Sequence, residues 1–226
     1  MNLLELSKAR DLVPVNHSVL AMGPPKSGKT RLAGTLAQQP EVKNIYWFDI
    51  ENGIDTLLHM GLTDAELAKI TVFKIPDTKD NPIAIETVLK ALTSKVAGTI
   101  CHAHGKWNCA ECAKDKTAST PFHLPSLTSS DWVVIDSASA LGDSAAAATS
   151  LGKDSLYKLT FNDWGDVGKW LADAFSVIQQ ARYCNFMTLT HEVLVEETSD
   201  GKAVSPIDAK VDHSTTKRSP QMKTPM

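Results

Sequence analysis

The segment Gly23-Pro24-Pro25-Lys26-Ser27-Gly28-Lys29-Thr30 constrains this chain more than any other. It follows the pattern G-x-x-x-x-G-K-[ST], a glycine-rich phosphate-binding loop, or P-loop. The pattern carries meaning only between a strand and a helix, and both flanks are present. The apolar run Val19 to Met22 reads as a buried strand, and Lys29 to Gln38 reads as a helix stopped by Pro40. Backbone N–H groups in such a loop converge on phosphate oxygens, and the helix N-terminus adds its positive end. Lys29 would then neutralise the β- and γ-phosphates, and the Thr30 hydroxyl would hold Mg²⁺. The expectation is a nucleoside-triphosphate site with ATP and Mg²⁺ as its ligands. A glycine turn without a ligand is the plain alternative.

A chain of 226 residues fits one α/β domain with room for a small insert. A hydrophobic content of 42% and a charged content of 22% are ordinary for a globular protein. The net charge of −3 gives no global attraction to nucleic acid, so any such contact must use a local patch. No apolar run is long enough for a membrane-spanning helix, and Met1 to Leu6 lacks the basic-then-apolar order of a signal peptide. No membrane contact is expected. Three of the four cysteines crowd into residues 101–112, which favours a metal site over a disulfide framework and a reducing cytoplasm as the compartment.

Strand and helix patterns alternate, which predicts an α/β fold with a mostly parallel sheet flanked by helices. Asn44 to Ile50 is a strand ended by Glu51-Asn52-Gly53, and Ile54 to His59 is helical. A helix capped by Thr63 or Asp64 follows to Lys69, then a strand over Ile70 to Ile75. Asn81 and Pro82 open a helix to about Val96. Residues 98–127 break the rhythm. Asp131 to Asp136 is a strand, Ala138 to Ser150 is helical, and Asn162 or Asp163 caps a long helix to about Arg182. Asn185 to Thr190 is a strand, and Val193 to Glu197 pairs in a hairpin around Asp200-Gly201. The core is therefore expected over residues 1–203. Residues 204–226 lack apolar periodicity, and from Lys202 onward five basic residues outnumber two acidic ones. A disordered tail is the plain reading, and a basic arm drawn to nucleic-acid phosphates is the sharper one.

Hydrolysis of a triphosphate needs a second carboxylate near Mg²⁺ and a group that orients or deprotonates the attacking water. Asp136 closes the apolar strand Trp132 to Ile135, the Walker B pattern, and would contact Mg²⁺ directly or through water. Many P-loop ATPases carry their catalytic Glu at the next position, where this chain has Ser137. Glu51, at the C-terminal end of the strand after the P-loop helix, is the candidate instead, because that end of a parallel sheet lies beside the phosphate site. A solvated strand-end acid is its plain alternative.

The Cys/His cluster reads Cys101-x₂-His104-x₄-Cys109-x₂-Cys112. Two close pairs on a short turn can converge on tetrahedral Zn²⁺. His102 is the other candidate imidazole; the Cys-x₂-His spacing matches the Cys-x₂-Cys half and favours His104. Four protein ligands imply a structural site, and an insert too short for its own core would draw folding energy from the metal. Reduced loop cysteines or a redox Cys-x-x-Cys are the alternatives. Cys184, beside a buried strand, reads as a core residue.

Taken together, these motifs resemble the RecA-like recombinase core. The P-loop is similar to that family's G-P-x-x-S-G-K-T. Phe48-Asp49-Ile50-Glu51 resembles its strand ending in Asp-x-Glu, whose Glu activates water, and this implies the same role for Glu51. Val134-Ile135-Asp136-Ser137 resembles its Walker B segment. Phe186 to His191 ends where the family has a polar γ-phosphate sensor; the bacterial recombinase has Gln there, and this chain has His191, for which a strand-end His in a hairpin turn is the alternative. More narrowly, the Trp164-Gly165 element ahead of the long helix, the Thr190-His191-Glu192 strand end and the Cys/His insert resemble compact RecA-like ATPases encoded by bacteriophages, a group of single-strand annealing proteins and members known only as nucleotide-binding proteins. The resemblance covers about residues 15–198. It implies an ATPase that acts on single-stranded DNA in recombination or annealing, in the host cytoplasm, as a homo-oligomer and alongside a single-strand DNA-binding protein. The family grips DNA with loops after the Walker B and sensor strands. The first such position here, Ser150 to Phe161, offers Lys153, Tyr157 and Lys158, a cation–aromatic mix suited to backbone tracking and base stacking. A connector packing Tyr157 and Phe161 into the core is the alternative. At the second position a full recombinase core continues into further strands, which this sequence does not offer. Two other functions compete. One is a nucleotide-dependent switch or assembly module without turnover. The other is a small P-loop kinase, for which four arginines and no arginine-rich lid are poor equipment.

Overall fold

Alternation along the central strands decides the layering. In the strand Asp131–Asp136, Val133 and Ile135 join one apolar cluster and Val134 the other. In the strand Asn44–Asp49, Phe48 faces the first cluster while Ile45 and Trp47 face the second. Successive side chains of a strand point to opposite faces, so apolar residues at every position demand cover on both sides. Helices provide it.

The computed structural model describes residues 16–154, 156–180 and 183–192, and the backbone of Glu196–Glu197 and Lys217–Arg218. Within these, the strands are β1 (Ser18–Gly23), β2 (Asn44–Asp49), β3 (Ile70–Lys74), β4 (Gly98–Cys101), β5 (Ser119–Phe122), β6 (Asp131–Asp136) and β7 (Asn185–His191). The helices are α1 (Lys29–Gly34), α2 (Asp55–Leu58), α3 (Asp64–Leu67), α4 (Ala84–Thr93), α5 (Ala138–Ser150) and α6 (Phe161–Gln180). The main sheet has five strands in the order β1-β7-β6-β2-β3, all parallel. Helices α4, α5 and α6 cover one face, and α1, its 3₁₀ extension Thr35–Gln38 and α2 cover the other. No described helix is long and apolar enough to cross a membrane.

Several local expectations need correction. The run Val19 to Met22 is not buried on both sides. Among the described residues β1 pairs only with β7, so it is an edge strand, and Leu20 and Met22 are 62% and 67% exposed. The opening of α4 owes little to Asn81 or Pro82. Asp77, from the loop after β3, accepts the N–H groups of Ile83 and Ala84 at 2.7 Å each and so caps the helix from outside it. The cap of α6 is Thr160 rather than Asn162 or Asp163. Thr160 Oγ1 accepts the Asp163 N–H at 3.3 Å, and Asp163 returns a carboxylate to the Thr160 N–H at 2.7 Å. The insert, residues 98–127, is not a separate lobe. Its β4–β5 hairpin buries Ile100 and Phe122 in the main core, and the 3₁₀ turn after β5 adds Leu124 and Leu127; Phe122 meets Tyr46, Phe48 and Phe73 edge-on. Glu196–Glu197 pairs with Lys217–Arg218, not with a strand just past Asp200-Gly201. The rest of the expected tail, 204–226, lies outside the described residues.

Candidate functional site

Parallel pairing brings the C-terminal ends of β1, β7, β6 and β2 to one edge of the sheet. Gly23 stands opposite His191, and Asp49 opposite Asp136. Because β7 lies between β1 and β6, His191 falls between the glycine-rich loop after β1 and the end of β6 at Asp136. The residues singled out in distant parts of the sequence therefore meet here.

After β1 the chain turns sharply. Lys26 and Gly28 have φ of 63° and 92°, the left-handed region that glycine adopts at little cost. Pro24, Pro25, Lys26, Ser27 and Gly28 are exposed, and α1 starts at Lys29 with no side chain capping its first turn. Lys29 folds back over the loop: its Nζ donates to the carbonyls of Gly23 and Pro24 at 2.9 Å each and lies 3.4 Å from His191 Nδ1. At the next residue, Thr30 Oγ1 donates to Asp136 Oδ2 at 3.0 Å. Gly53 stands over this pair; a Cβ there would sit 3.2 Å from Asp136 Oδ2 and 3.5 Å from Thr30 Oγ1.

Glu51 is held on two sides. Ser137 Oγ donates to its Oε1 at 2.5 Å, and His191 Nε2 lies 2.9 and 2.8 Å from its two oxygens. A carboxylate only accepts, so Nε2 carries the imidazole proton, and Nδ1 presents its lone pair to the Lys29 ammonium. The order Glu51, His191, Lys29 is thus a continuous polar chain across the site. The His191 backbone is fixed by its N–H to Ser139 Oγ at 2.8 Å, and Glu192 N–H donates to the Gly23 carbonyl at 3.0 Å.

Three carboxylates in one small space raise the electrostatic cost. Burial pushes the Asp136 carboxyl up to about 6; the Thr30 hydroxyl opposes the shift, and the charges of Glu51 and Asp49 add to it. Burial also raises Asp49, which has no exposed surface and whose Oδ2 lacks a hydrogen-bond partner. Uncompensated negative charge beside a hydroxyl is chemistry that suits a divalent cation.

No protein-family model matches this chain, and no curated protein matches it in sequence.

The second cluster lies in the insert. The ligand atoms of Cys101, His104, Cys109 and Cys112 all fall within 4.8 Å of one another, so the cluster can hold a metal ion such as zinc. His104 Nδ1 lies 3.5 Å from both Cys109 Sγ and Cys112 Sγ, while its Nε2 lies 3.5 Å from Glu111 Oε2. That is the arrangement of a ligating imidazole oriented by a carboxylate behind it. His102 is turned elsewhere, with Nε2 2.8 Å from Thr120 Oγ1. The Cys112 N–H is the main influence lowering the Cys109 thiol to about 7. Cys184 is buried outside the cluster, and burial pushes its thiol up to about 12.

The third group is exposed but engaged locally. Lys153 Nζ donates to Asp163 Oδ1 at 2.7 Å and lies 4.2 Å from the centre of the Tyr157 ring, and Tyr157 OH donates to Asp163 Oδ2 at 2.5 Å. This local network fastens the connector to the start of α6. Phe161, at 91% exposure, is not packed into the core, and Lys158 is exposed. Sequence reasoning also passed over Ser137 and Ser139, which orient Glu51 and His191, and over Asp49 and Glu111. Asp49 was visible within the Asp-x-Glu pattern; the two serines have no sequence signal beyond following Asp136.

Proposed function

We propose that this chain is a RecA-like P-loop ATPase of the phage type that acts on single-stranded DNA in recombination or strand annealing. The observation that carries this reading is the meeting of Lys29, Thr30, Asp136, Glu51 and His191 at one sheet edge, with Glu51 the carboxylate that His191 links to Lys29.

The roles follow from the chemistry of each group. Lys29, swung from the Gly23 and Pro24 carbonyls, would offset charge on the β- and γ-phosphates. Thr30 and Asp136 would hold Mg²⁺, and the buried, charge-crowded Asp136 beside a hydroxyl fits that ion. The ion would supply charge neutralisation as the transferred phosphoryl group separates. Glu51 would take a proton from water as its oxygen bonds to the γ-phosphorus and the bond to the β-phosphate oxygen breaks, leaving ADP and phosphate. His191 would report the γ-phosphate, because moving Lys29 removes the donor from its Nδ1 and so alters the hold on Glu51.

ATP turnover with and without single-stranded DNA tests this reading, together with anisotropy of a labelled oligonucleotide in the presence of a non-hydrolysable ATP analogue. Stimulated turnover and binding that weakens with salt are expected. Turnover with no binding at micromolar protein would remove the DNA assignment.

The nucleotide-dependent switch reading has one observation in its favour. Lys153 and Tyr157 both bond Asp163, so a DNA contact through the first loop would have to compete with that network. ATP binding with neither turnover nor DNA affinity would select it.

A further inference from the structure

We propose that the metal-binding turn of the insert positions Glu51, by clamping the chain segment that leaves β3. The proposal rests on the reading of Glu51 as the water-activating group.

The path is a series of close backbone contacts. The turn between Cys101 and His104 is closed by the Gly105 N–H, which donates to the Cys101 carbonyl at 2.9 Å. Gly105 has φ of 62°, and a Cβ there would lie 2.7 Å from the Lys74 carbonyl oxygen and 2.8 Å from Ile75 Cα. The turn therefore rests backbone on backbone against the exit of β3, at a distance only glycine permits. Ile75 in turn donates its N–H to the Asp49 carbonyl at 3.0 Å. The Asp49 side chain accepts the Gly53 N–H at 2.8 Å, which closes the turn carrying Glu51. From the other side, the N–H groups of Ile50 and Glu51 reach the Asp136 carbonyl at 2.8 and 3.3 Å. Glu51 thus sits on a turn held between β6 and Asp49, and Asp49 is held by the segment on which Gly105 rests.

The metal matters because of where its ligands lie. Cys101 and His104 flank the turn that Gly105 closes, and Cys109 and Cys112 lie beyond it. An ion joining all four cross-links the turn and limits how far Gly105 can lift from Ile75. Without it, the turn keeps the Cys101 N–H bond to the Lys106 carbonyl at 3.2 Å and the His102 N–H bond to the Ala118 carbonyl at 2.8 Å, but no cross-link to Cys109 and Cys112. Asp77 anchors the downstream end of the same segment through Ile83, Ala84 and Ser144 Oγ, and its own N–H donates to the Ile75 carbonyl at 2.8 Å, so Gly105 supplies the contact on the Lys74 side of Ile75.

The test uses the full chain loaded with Zn²⁺, the same protein after chelation, and Gly105→Ala, which keeps all four ligands. Elemental analysis reads the metal, amide hydrogen exchange reads Ile75 and Gly53, and steady-state kinetics read ATP turnover. Chelation and Gly105→Ala should both speed exchange at Ile75 and Gly53 and lower kcat about tenfold or more, with nucleotide affinity kept, since small displacements of a reacting group are costly. Cys112→Ser serves in place of Gly105→Ala if that variant does not fold. Failure of the chain to take up Zn²⁺ would overturn the proposal, as would unchanged exchange at both amides after the metal is removed. Faster exchange with kcat intact would also overturn it, because Glu51 would not depend on the clamp. Faster exchange in a protein with no ATP turnover in any form would uphold the clamp and instead remove the hydrolytic reading of Glu51.

Discussion

His191 Nε2 meets both oxygens of the Glu51 carboxylate, at 2.9 and 2.8 Å, while Nδ1 of the same ring lies 3.4 Å from Lys29 Nζ. One imidazole thus joins the candidate base to the candidate phosphate-binding cation. His191→Ala should keep ATP binding, since the loop and Lys29 remain, and lower kcat about a hundredfold, the lower range for a group acting in proton transfer. Equilibrium binding of a fluorescent ATP analogue beside steady-state turnover checks this. Loss of binding with kcat kept would assign His191 to the loop's structure instead.

Zinc should bind at about one ion per chain, the number a single four-ligand cluster takes. Cys109→Ser should lose it, because the serine oxygen is a poor substitute for a thiolate. Nucleotide affinity should persist, since the four ligands lie between the end of β4 and β5, while residues 23–30 run from the end of β1 into α1. Elemental analysis and nucleotide titration of the same preparation decide both points.

Phe122 fastens the insert to the sheet. It is 2% exposed and meets Tyr46, Phe48 and Phe73. Phe122→Ala should cost about 3–5 kcal/mol, the range for removing a buried aromatic ring. Urea unfolding followed by tryptophan fluorescence measures it.

Asp163 gives a pH dependence. The Lys153 ammonium, then the Thr160 and Tyr157 hydroxyls, hold its carboxyl well below the usual carboxylate range. A carboxylate with a lowered folded-state pKa stabilises the fold above its unfolded value of about 4, and that contribution fades as pH falls below it. The wild-type urea midpoint should therefore drop more steeply on acidification below pH 4 than that of Asp163→Asn. Parallel acid limbs in the two proteins would show that the network is not a source of stability.

Much of the fold was legible because its signals are local. The strand Asp131–Asp136 and the helix Ala138–Ser150 follow from an apolar run closed by Asp and from an alanine-rich stretch, and the structure has them at those bounds. The preference for His104 over His102 came from spacing along one turn. What escaped the sequence depends on partners far along the chain. Val19 to Met22 reads as a central strand unless one knows that its second edge lacks a neighbour among the described residues. The engagement of Lys153 and Tyr157 is an exception: Asp163 lies only ten and six residues on, but a cation–aromatic pattern does not by itself say that one carboxylate takes both. The contact of Ser137 with Glu51 spans 86 residues and exists only because β2 and β6 pair in register.

The central claim is that Glu51 activates water at a site where Lys29 binds the triphosphate. Single-turnover hydrolysis of radiolabelled ATP by Glu51→Gln, with Lys29→Ala as the binding-deficient control, tests it most directly. Glu51→Gln should bind ATP as the wild type does and release phosphate at least a hundredfold more slowly, because an amide cannot accept the water's proton. Phosphate release at the wild-type rate by Glu51→Gln would contradict the account.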